Sequence, residues 1–197
     1  MKAVLASSNP GKLTELSALL APLGFELLSQ AELHLSSAAE TGCTFIENAL
    51  SKARHASRLA AMPAIADDSG IAVDALAGAP GVYSARYAGV GATDADNSNK
   101  LLNELVEFKN PAAHYYCAVV YLAHAADPAP LIATGRWDGE IITTPRGENG
   151  FGYDPYFLIP ALCLTAAELA PEHKNSISHR AQAVTELCRQ LHDLQGG

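Results

Sequence analysis

Ser7-Ser8-Asn9-Pro10-Gly11-Lys12 joins a short apolar run to a run with helical periodicity. A strand-to-helix junction presents backbone N–H groups at the positive end of the helix dipole, which suits an anion. Lys12 falls in the first helical turn, where a cation opposes that dipole at a cost of about a few tenths of a kcal/mol. An anion held between the lysine and the N–H groups would remove the conflict. The G-x-x-x-x-G-K-[ST] spacing is absent, so this is not a Walker-type loop. The same residues also read as a plain Asn9 cap, Pro10 at the first helical position and a solvated Lys12. Ser178-His179-Arg180 repeats the anomaly, with Ser178 as a natural cap, two potential cations behind it and Lys174 just upstream. Either site alone fits a solvated basic patch. Two wrong-sign helix starts in one chain point to a polyanionic ligand shared by both.

Asp67-Asp68-Ser69-Gly70 follows the short apolar run Ala64-Ile65-Ala66. In an open α/β sheet, ligands gather at the carboxyl ends of strands. Neighbouring strand residues face opposite sides, so one aspartate of the pair enters the site. A carboxylate beside Ser and Gly suits Mg²⁺, which takes one or two carboxylates plus substrate phosphates. Glu40, in Ala38-Ala39-Glu40-Thr41-Gly42, is a plausible second ligand. A generic polar turn is the alternative reading of Asp-Asp-Ser-Gly. Glu148-Asn149-Gly150-Phe151-Gly152-Tyr153-Asp154-Pro155 offers glycines for close backbone approach and aromatic faces that stack a base, with Trp137 as a further candidate. A hairpin loop lined with core aromatics accounts for it equally well.

The elements that must position these residues follow from periodicity. Apolar runs alternate with amphipathic stretches, which predicts an α/β fold. Strands are expected over 2–7 and 25–28, with a helix from Pro10 to Gly24 between them. The clearest helix runs from Thr44 to Met62, opened by the capping box Thr44–Glu47 and closed by Pro63. A Gly-rich loop spans 78–92, a helix 94–108, a hairpin 114–143 around Asp127-Pro128, and a last helix 178–194. No repeat or linker interrupts the chain, and residues 1–197 read as one domain.

Composition narrows the classes. The 197 residues are 49% hydrophobic, enough for a sizeable core. Thirteen Lys and Arg against 21 Asp and Glu give a net charge of −8, a poor balance for gripping a nucleic-acid backbone. No apolar run approaches the length of a membrane span, and the apolar stretch near the start is too short for a signal-peptide core. Cys43, Cys117, Cys163 and Cys188 form no C-x-x-C pair and suit a reducing cytoplasm. The histidines show no metal-ligand spacing.

In order along the chain, these segments resemble the inosine triphosphate pyrophosphatase family, the XTP/dITP diphosphatases, and are most similar to its bacterial branch. The resemblance is carried by Leu5-Ala6-Ser7-Ser8-Asn9-Pro10-Gly11-Lys12, Glu40-Thr41-Gly42-x-Thr44-Phe45-x-Glu47-Asn48-Ala49 and Ala66-Asp67-Asp68-Ser69-Gly70. It continues through residues 78–87, Phe151-Gly152-Tyr153-Asp154-Pro155 and Lys174-Asn175-x-Ile177-Ser178-His179-Arg180. Each piece is weak alone; the ordered set is specific and covers nearly the whole chain. Ser8 departs from the family's usual Gly, and Glu148-Asn149 from a more neutral approach to Phe151.

The resemblance implies an elongated mixed sheet flanked by helices, two lobes around a central substrate cleft, and a homodimer. It implies Mg²⁺-dependent hydrolysis of ITP, dITP and XTP to the monophosphate and pyrophosphate, removing non-standard bases from the nucleotide pool. Ser7, Ser8, Asn9, Pro10, Gly11 and Lys12 would hold the nucleotide, with Lys12 on the phosphates and Ser69 also touching substrate. Glu40 and Asp68 would hold Mg²⁺, Asp68 being the proton acceptor. Phe151, Gly152, Tyr153, Asp154, Lys174, His179 and Arg180 would form the base pocket, and Lys52 is a further candidate for phosphate. Inosine and xanthine carry an acceptor oxygen at position 6 where adenine carries a donor, so cationic donors in the pocket would favour the former. The competing expectation is a purine-nucleotide-binding regulatory protein without turnover.

Overall fold

The computed structural model describes residues 2–7, 9–21 and 24–195, so Ser8 lies outside the described residues. Its first strand, β1 (Lys2–Leu5), is flanked on both sides by parallel neighbours. β2 (Glu26–Ser29) pairs Lys2 with Glu26 through Leu5 with Ser29, and β3 (Ala64–Val73) pairs Val4 with Ala64 and Leu5 with Ile65. Parallel pairing requires crossovers, and two helices supply them: α1 (Pro10–Leu20) and α2 (Phe45–Ala60). Beyond β3 come α3 (Asp94–Glu104), β4 (Ala112–Leu122), β5 (Leu131–Ile141), β6 (Phe157–Ile159) and β7 (Leu164–Thr165). The seven strands are ordered β2-β1-β3-β4-β5-β6-β7. Antiparallel pairing of β6 with β5 and with β7 makes the sheet mixed, as expected.

Local chemistry sets the helix starts. Asn9 Oδ1 accepts the Lys12 N–H at 3.1 Å and Pro10 takes the first helical position, so the expected cap forms, but Lys12 is not solvated: its ammonium pairs with Asp67. Thr44 and Glu47 form the expected capping box on α2, and Thr93 with Asp96 forms another on α3. Ala61 ends α2 in the left-handed region at φ 51°. The last expected helix, 178–194, is α5 (His179–Gln195); a short helix that was not expected, α4 (Pro171–Ile177), precedes it, and Ser178 in extended conformation separates the two.

The chain forms two compact units, Met1–Asp68 with Cys117–Gly135 and His179–Gly197, and Ser69–Tyr116 with Arg136–Ser178. The first is built on Leu5, Leu16, Leu20, Ile65, Val119, Val184 and Leu187. The second is built on Ile71, Leu101, Tyr115, Trp137, Phe157 and Leu169. In the first unit the backbone of β5 touches α5 at Gly135: a Cβ there would strike the His179 carbonyl oxygen and lie 2.8 Å from the Ala183 nitrogen. Glycine is what lets the residues at the start of α5 sit against the strand.

Three expectations need correction. Asp67-Asp68-Ser69-Gly70 is neither a turn nor a strand end; it lies inside the ten-residue β3. The strand is buried along almost its whole length, and the aspartates are tolerated because cations meet them. Trp137 is not available to stack a base; it is buried on β5, stacked on Tyr115 at 6.5 Å and tilted against Phe157 at 5.4 Å. The Gly-rich stretch after residue 78 holds a 3-10 helix at Gly81–Arg86, whose Ser84 hydroxyl accepts the Ile71 N–H at 2.9 Å.

Candidate active site

Asp67 is the buried centre of the first unit, 1% exposed on β3. Its Oδ2 lies 3.0 Å from Lys12 Nζ and 3.4 Å from Arg180 Nη2, and the Cys117 thiol approaches the same atom at 3.9 Å. Burial alone would raise the Asp67 carboxyl; Lys12, then Arg180 and Lys52, overcome it and hold the group well below the ordinary carboxylate range. Arg180, 1% exposed, also pairs through Nη1 with Glu15 on α1. The two wrong-sign helix starts do share an anion, and in this structure it is the chain's own Asp67. Sequence reading passed over Asp67 and Glu15, although a polar residue beside the proposed metal ligand needed a partner of its own. The same carboxylate, with burial as the larger cause, pushes the Cys117 thiol up to about 12.

Asp68, next on β3, meets different partners. Lys52 Nζ on α2 bonds its Oδ1 at 2.8 Å and Glu40 Oε1 at 3.1 Å. Asn48, one turn earlier on α2, donates Nδ2 to Asp68 Oδ2 at 3.2 Å and accepts the Gly42 N–H on Oδ1 at 2.8 Å. One amide therefore ties the loop that carries Glu40 to the strand that carries Asp68. Burial raises the Asp68 carboxyl above its ordinary value, and nearby Glu40 adds to this, against the pull of Lys52 and Lys12. Lys52 is raised as well: burial opposes its charge, but Asp68, Asp67 and Glu40 outweigh it. Ser7, buried two residues beyond β1, accepts the Asn9 N–H on its hydroxyl at 3.3 Å. Pro10 and Gly11 form the first turn of α1, and His179 is buried at the start of α5.

Among the described residues, no group of three or more His, Cys, Asp or Glu side chains is arranged to hold a metal ion. Glu40 and Asp68 nevertheless fit a hard cation. Both are oxygen donors, they converge on one positive charge, and Glu40 is partly exposed. A pair of carboxylates short of a full shell suits Mg²⁺ that arrives with phosphate oxygens.

The second unit has its own buried carboxylate. Asp154 accepts Lys174 Nζ at 2.7 Å and the Phe151 N–H at 3.0 Å on Oδ2, and the Tyr115 hydroxyl at 3.0 Å on Oδ1. Lys174 Nζ also stands 5.0 Å from the Phe151 ring centroid, a cation–π contact. Tyr153 is buried, its hydroxyl donated to the Ser84 carbonyl at 2.8 Å. The Gly152 N–H goes to Asp94 at 2.8 Å, a partner that no sequence signal indicated. Gly150 has a φ of 76°, and a Cβ there would strike Asp154 Oδ2. Ser69 opens this unit on β3, half-buried. The expected residues that are described thus fall into two sets: Ser7, Asn9 to Lys12, Glu40, Asp68, His179 and Arg180 in the first unit, and Ser69, Phe151 to Asp154 and Lys174 in the second.

The Ham1 family model matches residues 3–190. A dITP/XTP pyrophosphatase from Ralstonia nicotianae is 59% identical over 191 residues, covering 95% of each chain. Another from Yersinia pestis is 54% identical, covering 98% of each. Among solved structures, a HAM1 protein from Coxiella burnetii has a TM-score of 0.90 at 47% identity, covering 98% of this chain and 99% of that one. The Staphylococcus aureus Ham1 protein has a TM-score of 0.86 at 37% identity, with the same coverage.

Proposed function

The chain belongs to the Ham1 family, and from that premise we propose that it hydrolyses dITP, XTP and ITP to the nucleoside monophosphate and pyrophosphate. The observation that carries the reading is the meeting of Glu40 and Asp68 at a single cation, beside a lysine, Lys12, in the first turn of a helix. Cleavage between the α and β phosphates needs a polyphosphate held still, its charge neutralised and a water activated. Lys12 takes phosphate charge, together with Ser7, Ser8, Asn9, Pro10 and Gly11. Glu40 and Asp68 hold Mg²⁺, which when bound neutralises phosphate oxygens and polarises the scissile bond. Asp68, held in place by Asn48, accepts the proton of the attacking water.

Phe151, Gly152, Tyr153, Asp154, Lys174, His179 and Arg180 serve the base, and Ser69 touches substrate. Lys174 and Arg180 are held by buried carboxylates, which fixes their direction before substrate arrives. Cationic donors in the base pocket would favour hypoxanthine and xanthine, which carry an acceptor at position 6, over adenine. The whole chain acts as one domain, in a homodimer, in the cytoplasm; the four free cysteines suit a reducing compartment.

The test is product identification with Mg²⁺ and dITP, XTP, GTP or ATP. Pyrophosphate and monophosphate, formed much faster from the first two, are expected. Release of single phosphate would overturn the assigned bond. Binding without turnover would make the chain a nucleotide-binding protein instead.

A further inference from the structure

Lys52 reaches from α2 to both carboxylates assigned above to the metal, 3.1 Å from Glu40 Oε1 and 2.8 Å from Asp68 Oδ1. Its side chain is 13% exposed. Asn48 holds the other oxygen of Asp68, so the lysine ammonium and a metal ion bridging Glu40 and Asp68 would compete for the same position between them. Both are cations, and in a partly buried setting their mutual repulsion is only weakly screened. We propose that Lys52 is the internal cation of the metal-free site: its ammonium holds the place of positive charge between Glu40 and Asp68 and leaves when Mg²⁺ arrives with the triphosphate.

This inference rests on the assignment of Glu40 and Asp68 to the metal. The exchange needs no movement of α2, whose start is fixed by the Thr44–Glu47 capping box. A lysine has a flexible four-carbon stem and three rotatable donors, so it swings from carboxylate to phosphate oxygens within its own reach. Without nucleotide, the displaced ammonium would have to be solvated next to a dication. With nucleotide, phosphate oxygens complete the metal shell and accept the ammonium together. Metal and nucleotide then favour each other's binding, a coupling that is reciprocal by thermodynamic necessity. Until the nucleotide comes, Lys52 keeps two like charges from driving Glu40 and its loop away from β3.

The experiment measures Mn²⁺ binding to the purified chain by electron spin resonance, without nucleotide and therefore without turnover. Lys52→Met preserves the stem and removes the charge; it is expected to bind Mn²⁺ at least about tenfold more tightly than the parent, while dITP turnover falls. Lys52→Gln, which keeps a donor but no charge, is expected to gain affinity too, so a folding defect in one variant does not decide the matter. Adding Glu40→Gln to Lys52→Met should erase the gain, which places it at these carboxylates. Unchanged or weaker Mn²⁺ binding in folded Lys52→Met and Lys52→Gln overturns the exchange. The metal assignment is read separately, with Lys52 intact and a non-hydrolysable α,β-methylene analogue of dITP present. Loss of Mn²⁺ affinity in Glu40→Gln and Asp68→Asn upholds it, and unchanged affinity in both removes the assignment and the exchange with it.

Discussion

Asp67 and Asp68 are consecutive residues of β3, yet they bond different lysines: Lys12 Nζ lies 3.0 Å from Asp67, and Lys52 Nζ lies 2.8 Å from Asp68. Strand alternation turns one carboxylate toward α1 and the start of α5, and the other toward α2 and the loop of Glu40. The pair therefore divides its work. Asp67 is a buried counter-ion that holds Lys12 and Arg180, and Asp68, which shares the Lys52 ammonium with Glu40, is the carboxylate proposed for the chemistry.

Asp68→Asn should fold normally and lose about 10²- to 10⁴-fold in kcat, the span typical of a lost general base. Pyrophosphate release from dITP measures it, with circular dichroism as the check on folding. Near-parental kcat would take Asp68 out of the mechanism.

Asp67→Asn should be costly to the fold itself. Removing one partner of a buried ion pair leaves uncompensated charge, at about 3–5 kcal/mol; here Lys12 and Arg180 both lose their shared anion. The Asp67 carboxyl lies below its unfolded value. Its contribution is thus complete above the ordinary aspartate range and is lost as pH falls below it. Urea unfolding should show a large gap between parent and variant at pH 7 that narrows as the pH is lowered through 4 toward 2. A gap independent of pH would contradict the ion-pair account.

Gly135→Ala should destabilise by about 1–3 kcal/mol, because the added carbon meets backbone atoms of His179 and Ala183 rather than a flexible side-chain tip. Since His179 and Arg180 open α5, KM for dITP should rise along with the drop in melting temperature. A melting temperature equal to the parent's would show that α5 shifts freely on β5.

Alkylation should separate the cysteines. Cys43 and Cys163 are exposed, whereas Cys117 is buried beside Asp67 with its thiol pushed up to about 12. Iodoacetamide at pH 8, followed by mass spectrometry, should label the first two within minutes and Cys117 only after denaturation. Native labelling of Cys117 would mean that the Asp67 centre opens readily.

Much was legible in the residues alone, where the cause is local. Asn9 with Pro10, and Thr44 with Glu47, announce helix starts because capping is settled within four residues of chain. The alternation of apolar runs and amphipathic stretches announces an α/β fold for the same reason, and Lys12 and Arg180 stood out because each violates the dipole of its own helix. What the residues could not show was where those charges go. Asp67 looked like half of a polar turn, since its partners come from positions 12 and 180 and only the fold brings them to one oxygen. Trp137 looked available for stacking until burial against Tyr115 and Phe157 enclosed it. The link from Glu40 through Lys52 to Asp68 joins a loop, a helix and a strand, and nothing in their separate stretches specifies that distance. Short-range hydrogen bonding is encoded in adjacent residues; the pairing of buried charges depends on which segments the packed core sets side by side, and that is decided by tertiary structure.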